Sequence, residues 1–157
     1  MAQPIDSGSK AIGSTIHATT GGPDGTRLVV TVMLGGKPYP ATLKLSSGEM
    51  GLVTLGSNFV QGNYASYDPT GTKIVYIGAS GNTVEMINPD ADVGYLFVSS
   101  ATGMSSPRVS PDGSKIAFTK VVAGNLDIYV YTVATGTIKR LTTYAGHDGG
   151  PTWSPDG

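Results

Sequence analysis

Short apolar runs set off by turn residues recur along the whole chain. Arg27-Leu28-Val29-Val30-Thr31-Val32, Lys73-Ile74-Val75-Tyr76-Ile77 and Lys115-Ile116-Ala117-Phe118-Thr119 are each led by a basic residue. They are short and rich in β-branched and aromatic side chains, which is the composition of strands. Each follows a turn sequence: Gly22-Pro23-Asp24-Gly25, Asp68-Pro69-Thr70-Gly71 and Ser110-Pro111-Asp112-Gly113. A fourth turn of this kind, Ser154-Pro155-Asp156-Gly157, stands at the end. Proline presets φ at the second turn position, and glycine accepts positive φ at the last. Asp24, Asp112 and Asp156 can bond the backbone of their own turns, so Pro23, Asp24, Gly25, Pro69, Gly71, Pro111, Asp112, Gly113, Pro155, Asp156 and Gly157 read as structural turn residues. No stretch carries a 3.6-residue apolar period long enough for a helix.

The turn prolines Pro23, Pro69, Pro111 and Pro155 are spaced by 46, 42 and 44 residues. A period in the forties indicates repeated supersecondary units, and among repeat folds it indicates four-stranded propeller blades. The chain therefore reads as all-β: a β-propeller of four-stranded antiparallel blades, about three blades plus one extra strand. Residues 1–12 form a small, polar lead-in. The blades fall near 14–55, 63–99 and 107–142, and an orphan strand falls in 151–157. Calling the strands of a unit A to D, the first unit has A near Ser14–Thr19, B at Arg27–Met33, C at Tyr39–Leu45 and D at Leu52–Leu55. The B–C hairpins of the second and third units also match, with Ser80-Gly81-Asn82 against Ala123-Gly124-Asn125. Agreement between independent segments is stronger than any single motif.

At Ser110-Pro111-Asp112-Gly113-Ser114-Lys115-Ile116-Ala117-Phe118, and again at Pro151-Thr152-Trp153-Ser154-Pro155-Asp156-Gly157, the sequence resembles the TolB-type (WD-like) propeller repeat. Asp127-Ile128-Tyr129-Val130, Thr135-Gly136 and Arg140-Leu141-Thr142 supply the rest of that pattern in order. The resemblance is close over 107–157, weaker over 63–106, and rests mainly on the Gly22-Pro23-Asp24-Gly25 turn over 14–62. It implies a β-propeller that serves as a protein-binding platform at the bacterial envelope, periplasmic or extracellular, or as the gating domain of a larger peptidase. Propellers of this type usually have six blades.

The composition removes several function classes. Charged residues are only 13% of the chain, against about 25% in ordinary domains, and the net charge is −1. No basic patch is visible, so binding along nucleic-acid phosphates is not expected. There is no cysteine, which excludes disulfides, zinc–thiolate sites and cysteine nucleophiles. The longest apolar stretch, around Leu28 to Leu34, is far too short to span a membrane. The first ten residues hold no apolar core of a secretory signal.

Candidate chemistry is sparse. His147-Asp148 could act as a metal or acid–base pair, or Asp148 could bond the backbone of the next blade; no third ligand or nucleophile lies near in sequence, which favours the structural role. Asn88, Asp90 and Asp92 resemble the start of a calcium loop, but the glycine falls at 94 and no glutamate follows at the required spacing. Trp153, the single tryptophan, reads as a packing residue between blades. No nucleophile elbow or phosphate loop occurs. The expectation is no catalytic residue, no cofactor and no metal.

Strand direction gives one functional lead. In an A-B-C-D meander the B–C and D–A loops emerge on one face, and these loops vary from unit to unit whereas the turns do not. Function on repeat scaffolds concentrates on such loops. Asn82, Asn125, Tyr144, His147 and Asp148 are the candidate partner-binding residues. The expected function is a non-catalytic scaffold for protein–protein interaction and self-association, through open propeller ends or the C-terminal strand. The alternatives are a ring or filament subunit assembled by strand exchange, and the propeller of a larger hydrolase or lyase.

Overall fold

Three antiparallel sheets follow one another along the chain, one for each repeat. The computed structural model describes residues 3–4 and 16–157, and among these no helix occurs. The first sheet holds β2 (Ile16–Gly21), β3 (Arg27–Leu34), β4 (Lys37–Lys44) and β5 (Met50–Leu52), with β1 (Gln3–Pro4) added outside β5. A hairpin of β6 (Thr54–Leu55) and β7 (Asn58–Phe59) comes next. The second sheet is β8 (Gly62–Tyr67), β9 (Ile74–Gly78), β10 (Thr83–Asn88) and β11 (Val93–Ser99). The third is β12 (Met104–Val109), β13 (Lys115–Val122), β14 (Asn125–Thr132) and β15 (Thr137–Arg140). In all three the A, B, C and D strands lie side by side in chain order, which is the propeller meander.

The repeated turns act as the sequence implies. Gly25, Gly71, Gly113 and Gly157 have φ of 66°, 72°, 74° and 91°. Each donates its N–H to the first turn residue: Gly22, Asp68, Ser110 and Ser154. At Gly71 glycine is required twice over, because an added Cβ would also lie 3.0 Å from Pro23 of the preceding turn. In the third turn the Asp112 carboxylate accepts from the hydroxyls of Ser110 (2.6 Å) and Ser114 (2.7 Å) and from the Ser114 N–H (3.0 Å). The second turn exchanges the roles. Asp68 takes the first position and accepts from the Thr70 hydroxyl (2.8 Å) and from the N–H groups of Thr72 (3.1 Å) and Lys73 (2.9 Å).

Packing between sheets supplies the core. Val29 of β3 meets Ala65, Tyr67, Ile74, Tyr76 and Ile87 of the second sheet. Val75, Ile77, Val84, Met86 and Val98 of the second sheet meet Met104, Ile116 and Phe118 of the third. Alternation along the strands explains this: odd residues of β9 face the third sheet and even residues face the first. A third cluster, Val30, Val32, Ala41 and Leu52, lies on the side of the first sheet turned away from the second, and it is buried. On the far side of the third sheet, by contrast, Leu141 is 53% exposed.

The structure adjusts several other expectations. Of the lead-in, Gln3–Pro4 is a strand paired with Leu52 and Gly51; the rest lies outside the described residues, as do Ser14 and Thr15. The predicted D strand Leu52–Leu55 divides, because the Val53 N–H bonds Pro40 and the chain then turns at Gly56 into the β6–β7 hairpin. Residues 151–153 join no ladder among the described residues, since no B strand lies beside them. They nevertheless keep the shape of an A strand. β8 and β12 each break register around one residue of positive φ, Tyr64 (56°) and Ser106 (53°). Gly150 (66°) stands at the same distance before its turn proline. A non-glycine residue in this region costs about 1–3 kcal/mol, so the third copy of the bulge uses the residue that suits it best.

Candidate functional site

The D–A segment after β15 folds back onto the β13–β14 hairpin. The Asn125 side-chain amide donates to the Tyr144 carbonyl (2.7 Å), and the Leu126 N–H donates to His147 Nδ1 (3.2 Å). The Asp148 N–H returns a bond to the Leu126 carbonyl (2.7 Å), and the Gly150 N–H reaches the Thr119 hydroxyl (3.3 Å). Asn125, Tyr144, His147 and Asp148 therefore share one loop cluster. Asn82 sits one sheet away on the equivalent hairpin, where its carbonyl accepts the Ser100 N–H (2.9 Å) and the Gly81 carbonyl accepts the Met104 N–H (2.8 Å). Each hairpin tip is thus held by the segment that leads to the next sheet. Tyr144 packs its ring over Gly146 and is 74% exposed.

His147 uses Nδ1 as an acceptor for backbone, which orients its ring and turns Nε2 away from Leu126. Among the described residues no group of three histidine, aspartate or glutamate side chains is arranged to hold a metal ion. The residues that resembled a calcium loop are occupied otherwise. The Asn88 side-chain oxygen accepts from the Asp90 and Ala91 N–H groups, both at 3.1 Å, and Asp92 accepts from the Gly56 N–H.

Sequence reasoning missed a buried ion pair beneath this face. Asp127 is fully buried on β14, and its Oδ2 accepts from the Arg140 guanidinium at 2.6 Å. Its Oδ1 and the Asp148 Oδ2 are buried without a hydrogen-bond partner among the described residues. Both positions belong to the repeat pattern, but only the strand pairing of β14 with β15 brings residues 127 and 140 together.

A second feature was legible only from spacing. The basic residues after the first and third turns each lie one repeat before an aromatic that stands two residues ahead of the next turn proline. The Arg27 guanidinium lies over the Tyr67 ring, and the Lys115 ammonium lies over the Trp153 ring, each 5.9 Å from the centroid. Trp153 Nε1–H also donates to the Arg108 carbonyl (2.9 Å), which docks the 150–157 segment on the third sheet. Val109 holds the aromatic position in the third repeat. On the turn face, Arg27, Thr42, Tyr67, Thr72, Pro89 and Asp90 line a cleft of about 70 Å³ between the first two sheets. Small-molecule sites run to about 300 Å³ or more, so this cleft suits a side-chain tip or water. Burial raises the Tyr67 hydroxyl above its ordinary pKa, and that hydroxyl has no hydrogen-bond partner among the described residues.

No protein-family model matches the chain. It is 31% identical over 96 residues to the Tol-Pal system protein TolB of Francisella tularensis, covering 55% of this chain and 22% of that protein. It is 36% identical over 92 residues to the same protein of Alcanivorax borkumensis, with 55% and 21% covered. The chain thus spans about a fifth of the length of these relatives. The crystal structure of TolB from Acinetobacter baumannii superposes with a TM-score of 0.75 at 23% identity, over 92% of this chain and 36% of that one. A more distant likeness in fold alone is the oligogalacturonate lyase of Vibrio parahaemolyticus, at 11% identity and a TM-score of 0.59 over 88% of this chain and 46% of that one. The repeated turns, the three meander sheets and these likenesses make the chain a TolB-like β-propeller protein.

Proposed function

We propose that the chain is a non-catalytic propeller module that binds protein through the loop face bearing Asn82, Asn125, Tyr144, His147 and Asp148. The observation that carries this reading is the state of Tyr144. Its side chain is 74% exposed, yet its backbone is tied to Asn125 and its loop to Leu126. An aromatic presented on an ordered loop loses little entropy on binding, and tyrosine is enriched among residues that dominate interfaces. The relatives' name places them in the Tol-Pal system, and the family resemblance implies an extracytoplasmic setting and a protein partner here. A photo-crosslinking side chain at position 144, compared in the native host with one at exposed Ser47 on the opposite turn face, tests the reading. Discrete protein adducts at 144 and none at 47 support it, and Tyr144→Ala then weakens binding of the captured protein at least tenfold. Equal labelling at the two positions, or none at 144, would overturn it.

A second reading, assembly through the open end, is favoured by one observation. Leu141 on the far side of the third sheet is 53% exposed, where its counterpart Val98 is 3% exposed. The docked 150–157 segment already repeats the positive-φ position and the turn of the A strands. A ring or filament built there by strand addition would cover Leu141. Light scattering of the wild type and of Leu141→Lys tests this reading. Assembly lost in the variant supports it, and a wild type that stays monomeric at every concentration sinks it.

A further inference from the structure

We infer that the outer edge of the second sheet, strand β11, is a self-association site that pairs with the same strand of a second copy. A sheet edge presents unpaired N–H and C=O groups, and soluble proteins blunt such edges with charge or with a covering strand. Two of the three outer edges here are blunted. That of the first sheet is covered by β1, which pairs along β5. That of the third sheet, β15, carries Lys139 and Arg140 among four exposed residues. Among the described residues the edge of the second sheet is neither covered by a strand nor charged; its one irregularity is a bulge at Phe97, the extra residue of β11 opposite the Val84–Glu85 step of β10. β11 reads Val93-Gly94-Tyr95-Leu96-Phe97-Val98-Ser99, with no ionisable group but Tyr95. Val93, Tyr95 and Leu96 are exposed, Leu96 to 63%. Leu55 and Phe59 of the neighbouring hairpin, also exposed, extend the apolar surface on one side.

The occupant follows from the same comparison. A second copy cannot offer its first outer edge, which is already paired, without losing β1. Its third outer edge brings the Lys139 cation, to which β11 offers no carboxylate; the neighbouring Arg140 is already held by Asp127. Its own β11 brings no charge to repel, so pairing like with like meets no electrostatic cost. The strand is also close to self-complementary. Antiparallel pairing about a two-fold axis at Leu96 sets Tyr95 opposite Phe97 of the second copy, and Phe97 opposite its Tyr95. Tyr95 and Phe97 already stack within one chain at 6.2 Å, and Phe97 meets Tyr131 edge-on at 5.8 Å. The paired strands would join these rings into one aromatic row, and aromatic cross-strand pairs are among the stabilising ones. An interface of this kind is isologous and closes at two copies. It is independent of the open-end assembly considered above, because Leu96 and Leu141 stand on different sheets.

Sedimentation velocity across a hundredfold concentration range, on the wild type, Leu96→Lys and Leu141→Lys, tests the inference. Leu96 is mostly solvent-exposed, so Leu96→Lys keeps the fold, checked by its circular dichroism and melting temperature. The expected result is a monomer–dimer equilibrium for the wild type, at least tenfold weaker in Leu96→Lys and unchanged in Leu141→Lys. Hydrogen exchange at concentrations where the dimer forms should slow at outward-facing β11 amides. A wild type that is monomeric throughout overturns the inference. So does a dimer that survives Leu96→Lys, a dimer abolished only by Leu141→Lys, or a polymer without a dimer plateau.

Discussion

Val98 and Leu141 hold the same position in successive repeats, one buried between two sheets and the other half open. Val98 pairs with Val84, and the Leu141 N–H bonds the Ile128 carbonyl at the equivalent rung. Val98→Ala removes two methyl groups from a closed interface and should destabilise by about 2 kcal/mol. Leu141→Ala should change stability by less than about 0.5 kcal/mol. Urea unfolding followed by circular dichroism measures both. Equal losses would mean that the third sheet's far side is as well packed as the second's.

The aspartates of the turns should make the fold sensitive to acid. The Ser110 hydroxyl, followed by the N–H and hydroxyl of Ser114, holds the Asp112 carboxyl far below the usual carboxylate range. The Thr26 N–H and hydroxyl lower Asp24, and the Ser154 hydroxyl lowers Asp156. A carboxylate with a depressed folded-state pKa stabilises the fold above its unfolded value, and that contribution is lost as pH falls through the folded value. Stability should therefore decline steadily below about pH 4, and Asp112→Asn should flatten the decline. Urea midpoints measured at several acidic pH values would show it. A parallel decline in the variant would assign the acid sensitivity elsewhere.

Ser106 is the place where a glycine should help. Its φ of 53° is imposed by the bulge between β12 and β13, and Gly150 shows the unstrained alternative at the same repeat position. Ser106→Gly should gain up to about 1 kcal/mol by relieving the backbone, less the entropy that glycine adds to the unfolded chain. Gly150→Ala should lose a similar amount locally. Thermal melts of the two variants should move in opposite directions, and a drop for Ser106→Gly would mean that the serine side chain contributes more than the strain.

Removing one half of the buried pair should cost more than removing both. Arg140→Ala leaves the fully buried Asp127 carboxylate without its partner, a loss of about 2–3 kcal/mol on the scale of a charged hydrogen bond. Replacing Asp127 with asparagine alongside it should recover part of this, because no buried charge remains. A double-mutant cycle in urea measures the coupling. Strict additivity of the two changes would rule the interaction out as a source of stability.

Most of the architecture was legible because turn chemistry is local. Pro23, Pro69, Pro111 and Pro155 fix the period, and a basic residue leading an apolar run marks each B strand wherever a B strand exists. The failures are places where tertiary context decides. The Leu52–Leu55 strand divides at Val53, whose N–H bonds Pro40, and the hairpin that follows is held through the Gly56 N–H by Asp92, thirty-six residues away. Residues 151–153 have the sequence of an A strand and its bulge, but ladder pairing needs a neighbour that local sequence does not supply. Strand direction is enough to group the B–C and D–A loops, whereas the contacts that tie Asn125 to Tyr144 and Leu126 to His147 depend on the fold of one eight-residue loop. The Asp127–Arg140 pair was visible as two motif fragments, and only their strand register joins them.

Trp153 gives the last repeat an optical signature of its own. It is the single tryptophan, and it sits on a segment fastened to the third sheet by the Arg108 bond and the Lys115 stack rather than by a ladder. The eight tyrosines, by contrast, are spread across all three sheets and the last loop. Sheets that contact only their neighbours unfold with limited cooperativity. Tryptophan emission should therefore report the fraying of the C-terminal end at lower denaturant than the far-ultraviolet signal of the sheets, so the chain carries a built-in probe of how far order spreads from one repeat into the next.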